Sequence, residues 1–307
     1  MILYDDRQVA ASFGDDLDEV FRHDLAFVAI FDRWSRDPAR ATRRATEMLS
    51  EVRDLLNHGA LTTFYDANAV YVGHAVVADV IVGNSSVVLY NPAIVQNKML
   101  WGGGPPNWLV HVEAVNGAAP MIIRRMRNVL APSVESISYV RRLRGDVAMG
   151  EWRPPVKARS SFAPAVLKDH ELAPFAKLRD EIAERKHILT FLTGNCDRPL
   201  SLRTAHRIAS WAYNLKQYAF LRHQAVLLIW AWCNLEGLDR MRRERPDLPD
   251  DVDWNSGTTP VLVAVSGPAE EVEAGIRDWV ASLPPGSDAP RRLVVDRLFD
   301  VYALELV

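Results

Sequence analysis

The stretch from Trp108 to Gly145, WLVHVEAVNGAAPMIIRRMRNVLAPSVESISYVRRLRG, restricts the fold more than any other part of the chain. It reads as strand, small-residue loop, helix and strand. Trp108 to Val115 alternates, which predicts a strand with Leu109, His111 and Glu113 on one face and Trp108, Val110 and Val112 on the other. Asn116-Gly117 breaks that strand. Pro120 suits the first turn of a helix, where its missing N–H is not needed. From Met121 to Leu130 the apolar residues Ile122, Met126, Val129 and Leu130 share one helical face, and Arg124, Arg125 and Arg127 lie mostly off it. Ser136 to Leu143 predicts a second strand. A loop between a strand and a helix N-terminus is a natural place for an anion, because unpaired backbone N–H groups point outward there.

The flanking chain supplies further elements of both kinds. Met1 to Tyr4 reads as an edge strand, Asp15 to Arg33 and Ala39 to Asn57 as helices, and Leu61 to Tyr65 with Ala69 to Val82 as a hairpin turning at Asp66-Ala67-Asn68. Ser86 to Tyr90 predicts a short strand, and Gly102-Gly103-Gly104-Pro105-Pro106 closes a loop. Beyond the central stretch, Asp146 to Ala173 has the least regular pattern. Pro174 to Leu192 and Leu200 to Leu215 read as helices, and Gln217 to Glu236 as strand. Arg240 to Asn255 is a charged loop. Pro260 to Ser266, Gly267-Pro268 and Ala269 to Leu283 then repeat strand, loop and helix, with closing strands in Arg292 to Val307. The expected class is α/β (α+β).

A chain of 307 residues suits two domains of about 150 each. The expected division is a first unit over 1–150, a connection over 151–173 and a second unit over 174–307. An apolar content of 49% with 24% charged residues belongs to a globular protein. A net charge of −3 argues against a general nucleic-acid binder. No apolar run approaches the ~20 residues of a membrane span, and no secretory signal is read at the start. Two cysteines, Cys196 and Cys233, make neither a disulfide framework nor a zinc cluster. A reducing cytoplasm is the default setting.

Three groups of side chains invite chemistry. His111 and Glu113, two apart on one strand, share a face, and a carboxylate beside an imidazole can raise its basicity enough for a general base. The competing reading makes Glu113 an acceptor for backbone or arginine and His111 a half-buried strand residue. His74, on the hairpin, is placed near the same cleft, and no metal set is expected. Arg124, Arg125, Arg127, Arg141, Arg142 and Arg144 form a basic cluster, open to phosphate, nucleic acid or an acidic partner, or simply a solvated surface paired with carboxylates. Trp230 and Trp232 share a strand face and read as core.

The two halves also read as copies of one unit. Setting Leu61 to Ala75 against Gln217 to Ala231 places Phe64 on Phe220, Ala69 on Ala225, Val70 on Val226 and Ala75 on Ala231 without a gap. Two helices, a hairpin and then strand, loop, helix and strand is an order that resembles the GNAT N-acetyltransferase fold. The segment from Gln217 to Trp232 is similar to the central hairpin of the toxin-activating lysine acyltransferase branch. Trp108 to Gly145 is similar to that branch's later strand, helix and strand, and to small acetyltransferase-like proteins encoded by phages. The resemblance implies two tandem units, each a mixed, mostly antiparallel sheet with packed helices. It implies a pyrophosphate-binding loop at Asn116, Gly117, Ala118 and Ala119 for acetyl-CoA or a longer acyl-CoA. It also implies a His–Asp catalytic pair, for which Glu113 stands near the Asp position while Arg36-Asp37-Pro38 occupies the His region. In the second half Cys196-Asp197-Arg198-Pro199 occupies that region, and Val263 to Ser266 carries no carboxylate.

Two functions from different classes follow as expectations. The first is a catalytically degenerate acetyltransferase-fold protein with a structural or assembly role, such as a phage virion component, needing no cofactor and working through protein partners or as a homo-oligomer. The second is an N-acyltransferase that moves an acyl group from CoA or an acyl carrier to an amine, with Glu113 or His111 taking the proton.

Overall fold

In the computed structural model of the chain, the described residues are 2–14, 18–82, 88, 91–130, 134–143, 146–154, 166–194, 200–237, 254–283, 292–293 and 304–305. They form a mixed α/β protein with a six-stranded mixed sheet and a second, three-stranded sheet. The chain divides into two compact units: Met1–Ala29 with Glu51–Glu181, and Ile30–Ser50 with Ile182–Val307. The division is discontinuous in sequence, where the composition had suggested a single cut at 151–173. The chain passes from one unit to the other inside three continuous helices, α2 (Asp18–Ser35), α3 (Ala45–Asn57) and α5 (Asp169–Gly194).

The first unit's sheet runs in the order β1 (Tyr4–Asp5), β2 (Leu61–Tyr65), β3 (Tyr71–Ala78), β4 (Trp108–Ala114), β5 (Ile137–Leu143) and β6 (Asp146–Trp152). Every neighbouring pair is antiparallel except β4 and β5, which the helix α4 (Ala119–Leu130) joins in parallel. A helix crossover is what a parallel pair requires. The buried face of α4, Ile122, Met126 and Leu130, packs with Phe64, Ala75, Val77 and Ile137 into one core.

Two expectations are corrected here. The segment after Gly145 is not an irregular connection from its start, because β6 pairs with all of β5 from Ile137↔Trp152 to Leu143↔Asp146. The strict alternation of 108–115 also fails at one place. The register passes from Val76↔His111 to Val77↔Leu109, so Val110 is the extra residue of a β-bulge. That bulge moves Leu109 onto the core face with Val112 and Ala114, and leaves His111 and Glu113 together on the other face.

Helix boundaries follow local chemistry. A short helix α1 (Asp6–Ala11), unexpected from the sequence, starts where the Asp5 carboxylate accepts the Gln8 N–H at 2.9 Å. α5 begins at Asp169 rather than Pro174, because Glu171 reaches back to accept the Lys168 N–H at 3.0 Å and Pro174 falls near the helix start. α3 begins at Ala45 rather than Ala39, and Asp37 to Arg43 form turns instead.

In the second unit, β7 (Tyr218–Leu221), β8 (Val226–Cys233) and β9 (Thr259–Ser266) form the three-stranded sheet in that order, antiparallel throughout. α7 (Ala269–Ser282) lays Val272, Ile276 and Trp279 against Val226, Leu228 and Leu262. α6 (Leu202–Leu215) is capped by Ser201 and buries Leu202, Ala205, Ile208, Ala209 and Ala212, the face its spacing predicts. Among the described residues near the chain end, β10 (Arg292–Leu293) pairs with β11 (Leu304–Glu305), antiparallel. Of the expected strand at Ser86 to Tyr90 only Val88 is among the described residues; the side chain of Arg142, all of Arg144, and Cys196 lie outside them. Among the described residues no helix is long and apolar enough to cross a membrane.

Candidate functional site

The site of interest lies in the first unit, where β4 leaves β5. Pairing between these strands is confined to Trp108↔Ser138 and Leu109↔Tyr139. Beyond Leu109 the two strands part, and residues 110–114 keep β3 as their neighbour on one side only. An unpartnered strand edge carries N–H and C=O groups ready for another extended chain. Among the described residues, no strand pairs with that side of residues 110–114.

The edge ends in a tight turn. Asn116 (φ 51°) and Gly117 (φ 76°) are both left-handed, and the Ala118 N–H donates to the Val115 carbonyl at 3.1 Å. This is a type I′ turn, in which glycine takes its conformation without steric cost. A Cβ built on Gly117 would meet nothing within 4 Å, so the space above the loop is open. Ala118 is buried against the α4 core, and Met121 and Ile122 return their N–H groups to its carbonyl. Asn116, Gly117 and Ala119 are the loop residues left to present N–H groups at the head of α4.

On the face of the sheet away from α4, β3 and β4 bring three titratable side chains together. His74 lies directly across from Glu113 in the register, and His111 is two residues before Glu113. His74 is 1% exposed. Its Nδ1 and the Tyr71 hydroxyl share a 2.6 Å hydrogen bond whose donor depends on the imidazole tautomer. The His74 and His111 ring centroids are 5.6 Å apart, and His111 Nε2 stands 4.0 Å from Glu113 Oε2. That distance is an ion contact rather than a hydrogen bond. The Nε2 atom of His111 is buried and has no hydrogen-bond partner, although 40% of the side chain is exposed. One donor atom from each of the three residues lies within 4.8 Å of the others. Nearby, burial pushes the Tyr65 phenol well above its ordinary pKa, so it stays protonated and donates to Thr63 Oγ1 at 3.1 Å.

Sequence reasoning placed His111 and Glu113 on one face and set His74 near them, and all three meet. It missed Tyr71. The usable signal was its position three residues before His74, but the register irregularity between Phe64 and Tyr65 hides that spacing from a simple alternation count.

Among the described residues, three of the arginines of the expected basic cluster have separate surroundings. Arg125 donates to Asp5 at 3.0 and 3.2 Å and to Gln8, Arg127 lies over the Trp152 ring at 5.6 Å, and Arg141 sits on β5 across from Ala148. Arg124 shares with Arg125 a shallow hollow of about 270 Å³ beside Leu3 and Met121.

In the second unit the loop between β9 and α7 is crowded. A Cβ at Gly267 would strike the Ala225 carbonyl at 2.7 Å, Pro268 caps α7 with no side-chain bond, and Glu271 in the first turn is tied to Arg222 at 2.8 Å. The same unit holds Asp32, Arg185 and His206 in contact. Asp32 accepts from Arg185 at 2.7 and 2.9 Å and from His206 Nε2 at 2.9 Å. Burial raises the Asp32 pKa, but the His206 hydrogen bond and the Arg185 charge outweigh it and hold the carboxyl below its ordinary range. Ser210 Oγ approaches the same Nε2 at 3.5 Å, so no imidazole relays between serine and aspartate, as a hydrolytic triad requires. Trp230 packs on Trp279 with centroids 5.5 Å apart, as core, and Trp232 lines a hollow of about 420 Å³ with Lys216 and Gln217.

Compared with protein-family models, curated proteins and solved structures, the chain matches none.

Proposed function

We propose that the first unit is an acyltransferase-like module that takes an acyl thioester on a pantetheine arm, from CoA or an acyl carrier, and passes the acyl group to an amine. The observation that carries this reading is the parting of β4 from β5 after Leu109, with a small-residue turn at its end. A pantetheine arm is an extended chain with two amide groups. It can add to the edge of residues 110–114 as a short strand does, using main-chain hydrogen bonds. Its phosphates then reach the head of α4, where Asn116, Gly117 and Ala119 offer N–H groups and the helix dipole favours negative charge. Glu113, with His111 beside it, is the proton acceptor for the attacking amine. This arrangement is the one expected of a GNAT-like unit, here with Glu113 in place of the aspartate of the toxin-activating branch.

The crowded Gly267 loop supports a different role for the second unit, that of a structural or assembly half in which the anion site has been lost. Two carboxylates at the start of α7 repel a phosphate.

Amide hydrogen exchange with and without acetyl-CoA tests the reading. Added acyl-CoA slows exchange at residues 110–119 and leaves 259–271 unchanged. Protection in neither segment removes the basis for the assignment and leaves the scaffold role for the whole chain, and equal protection in both refutes the loss of the anion site in the second unit.

A further inference from the structure

We propose that His74, His111 and Glu113 form a binding site for a divalent transition-metal ion of the zinc type. Two imidazoles and one carboxylate are a donor set that suits Zn²⁺, Fe²⁺ or Co²⁺, whereas Ca²⁺ and Mg²⁺ demand oxygen ligands. The three donors lie on two adjacent paired strands, β3 and β4, and their atoms are within 4.8 Å of one another. A tetrahedral ion with bonds near 2.1 Å needs its ligand atoms about 3.4 Å apart. Closing that gap takes side-chain rotations. His111 is free to make one, because 40% of its side chain is exposed.

Two further observations point the same way. The buried Nε2 of His111 lacks a hydrogen-bond partner, a state that ordinarily costs about 1–3 kcal/mol and that an ion bond relieves. His74 has its Nδ1 held by the Tyr71 hydroxyl at 2.6 Å. A metal-bound histidine is commonly oriented by its second nitrogen donating its N–H; in the tautomer whose Nδ1–H donates to the Tyr71 hydroxyl, Nε2 holds the lone pair for the ion. Three protein ligands leave a four-coordinate ion one position for water or a substrate atom.

This inference does not rest on the acyl-transfer reading. The two use Glu113 and His111 differently, since an ion bound to both takes the lone pairs that an amine proton needs. The test therefore contains no acyl donor. The purified full-length protein is stripped with a chelator and titrated with Co²⁺, and Zn²⁺ then displaces it. The expected result is one ion per chain, the intense visible absorption of four-coordinate Co²⁺, and bleaching by one equivalent of Zn²⁺. His111→Ala and Glu113→Ala each weaken Zn²⁺ binding at least about tenfold, while His58→Ala, elsewhere on the surface, leaves it unchanged. His74 is buried and its replacement tests folding as well, so the half-exposed His111 is the deciding variant. Only the weak absorption of six-coordinate Co²⁺, or binding that His111→Ala and Glu113→Ala leave intact, overturns the proposal.

Discussion

Gly73 is a position where the first unit leaves no room for a side chain. It faces Ala114 across the β3–β4 ladder with φ at 156°. A Cβ there would overlap the Glu113 carbonyl oxygen, lie 2.5 Å from Ile122 Cδ1 and 2.9 Å from Ala114 Cα. Two of those three atoms are backbone and cannot rotate away. Overpacking of this kind costs about 1–3 kcal/mol. A side chain in that φ region adds about 1–3 kcal/mol. The stiffer unfolded chain returns about 0.4–1 kcal/mol. Gly73→Ala therefore destabilises by about 1–6 kcal/mol, with a centre of about 3 that is about 6–12 °C in Tm for a unit of this size. Gly59→Ala is the control. It has φ 61° and open space where the Cβ would go, and Ala69 at φ 59° shows that alanine takes this conformation in the same unit. That variant should stay within about 1 kcal/mol of the parent. Calorimetric Tm values for both decide the matter. If Gly73→Ala falls no further than Gly59→Ala, the close approach of β3 to β4 is not as described, and the placement of Glu113 falls with it.

Three other outcomes follow from the packing. Asp32→Asn should cost about 1–3 kcal/mol in urea unfolding, less than a fully buried pair because a quarter of the carboxylate side chain is exposed. The folded-state pKa of Asp32 is depressed, so its contribution is fully present above the unfolded carboxyl pKa of about 4 and is lost as pH falls through the lower folded value. The gap between parent and variant should close below that pH, and a gap that persists at the lowest pH contradicts the assignment. Trp254, fully buried and stacked near Trp211 at 6.3 Å, should cost about 3–5 kcal/mol on replacement by alanine, read as a fall in Tm and in tryptophan emission. Tyr71→Phe should weaken Zn²⁺ binding about tenfold and lower stability by about 1–3 kcal/mol, because it takes the partner from the buried His74 Nδ1; an unchanged affinity removes Tyr71 from the site.

Much of this architecture was legible because its signals are local. The period-2 and period-3.6 patterns found β2, β3, β4, α4 and α6 nearly to their ends. They failed where one residue's partner lay far away. The β-bulge at Val110 is set by β3, and nothing in 108–115 itself announces that Leu109 changes face. β6 was missed because the Asp146 to Trp152 segment lacks a strong strand pattern and is held by its pairing with β5. The division into units escaped a linear reading because it falls inside α2, α3 and α5, where helical periodicity continues unbroken. Gly102 to Gly104 read as a loop end, and the reason is a partner 23 to 25 residues earlier: the Asp79 carboxylate occupies the space a Cβ would need at Gly102 and Gly104. In the candidate site, the shared face of His111 and Glu113 followed from spacing. The orienting contact of Tyr71 depends on a register shift that only the folded hairpin shows.

The central claim is that the β4 edge and the turn at Gly117 receive a pantetheine arm and its phosphates. Titration calorimetry with acetyl-CoA and a longer acyl-CoA, on the full-length protein and on Gly117→Glu, tests it most directly. The variant places a carboxylate in the open space above the loop, at a position whose φ of 76° strains any side chain, so circular dichroism is used to check that it remains folded. The account predicts micromolar binding to the parent and its loss in the variant. No heat at millimolar ligand, or binding that Gly117→Glu leaves unchanged, contradicts it.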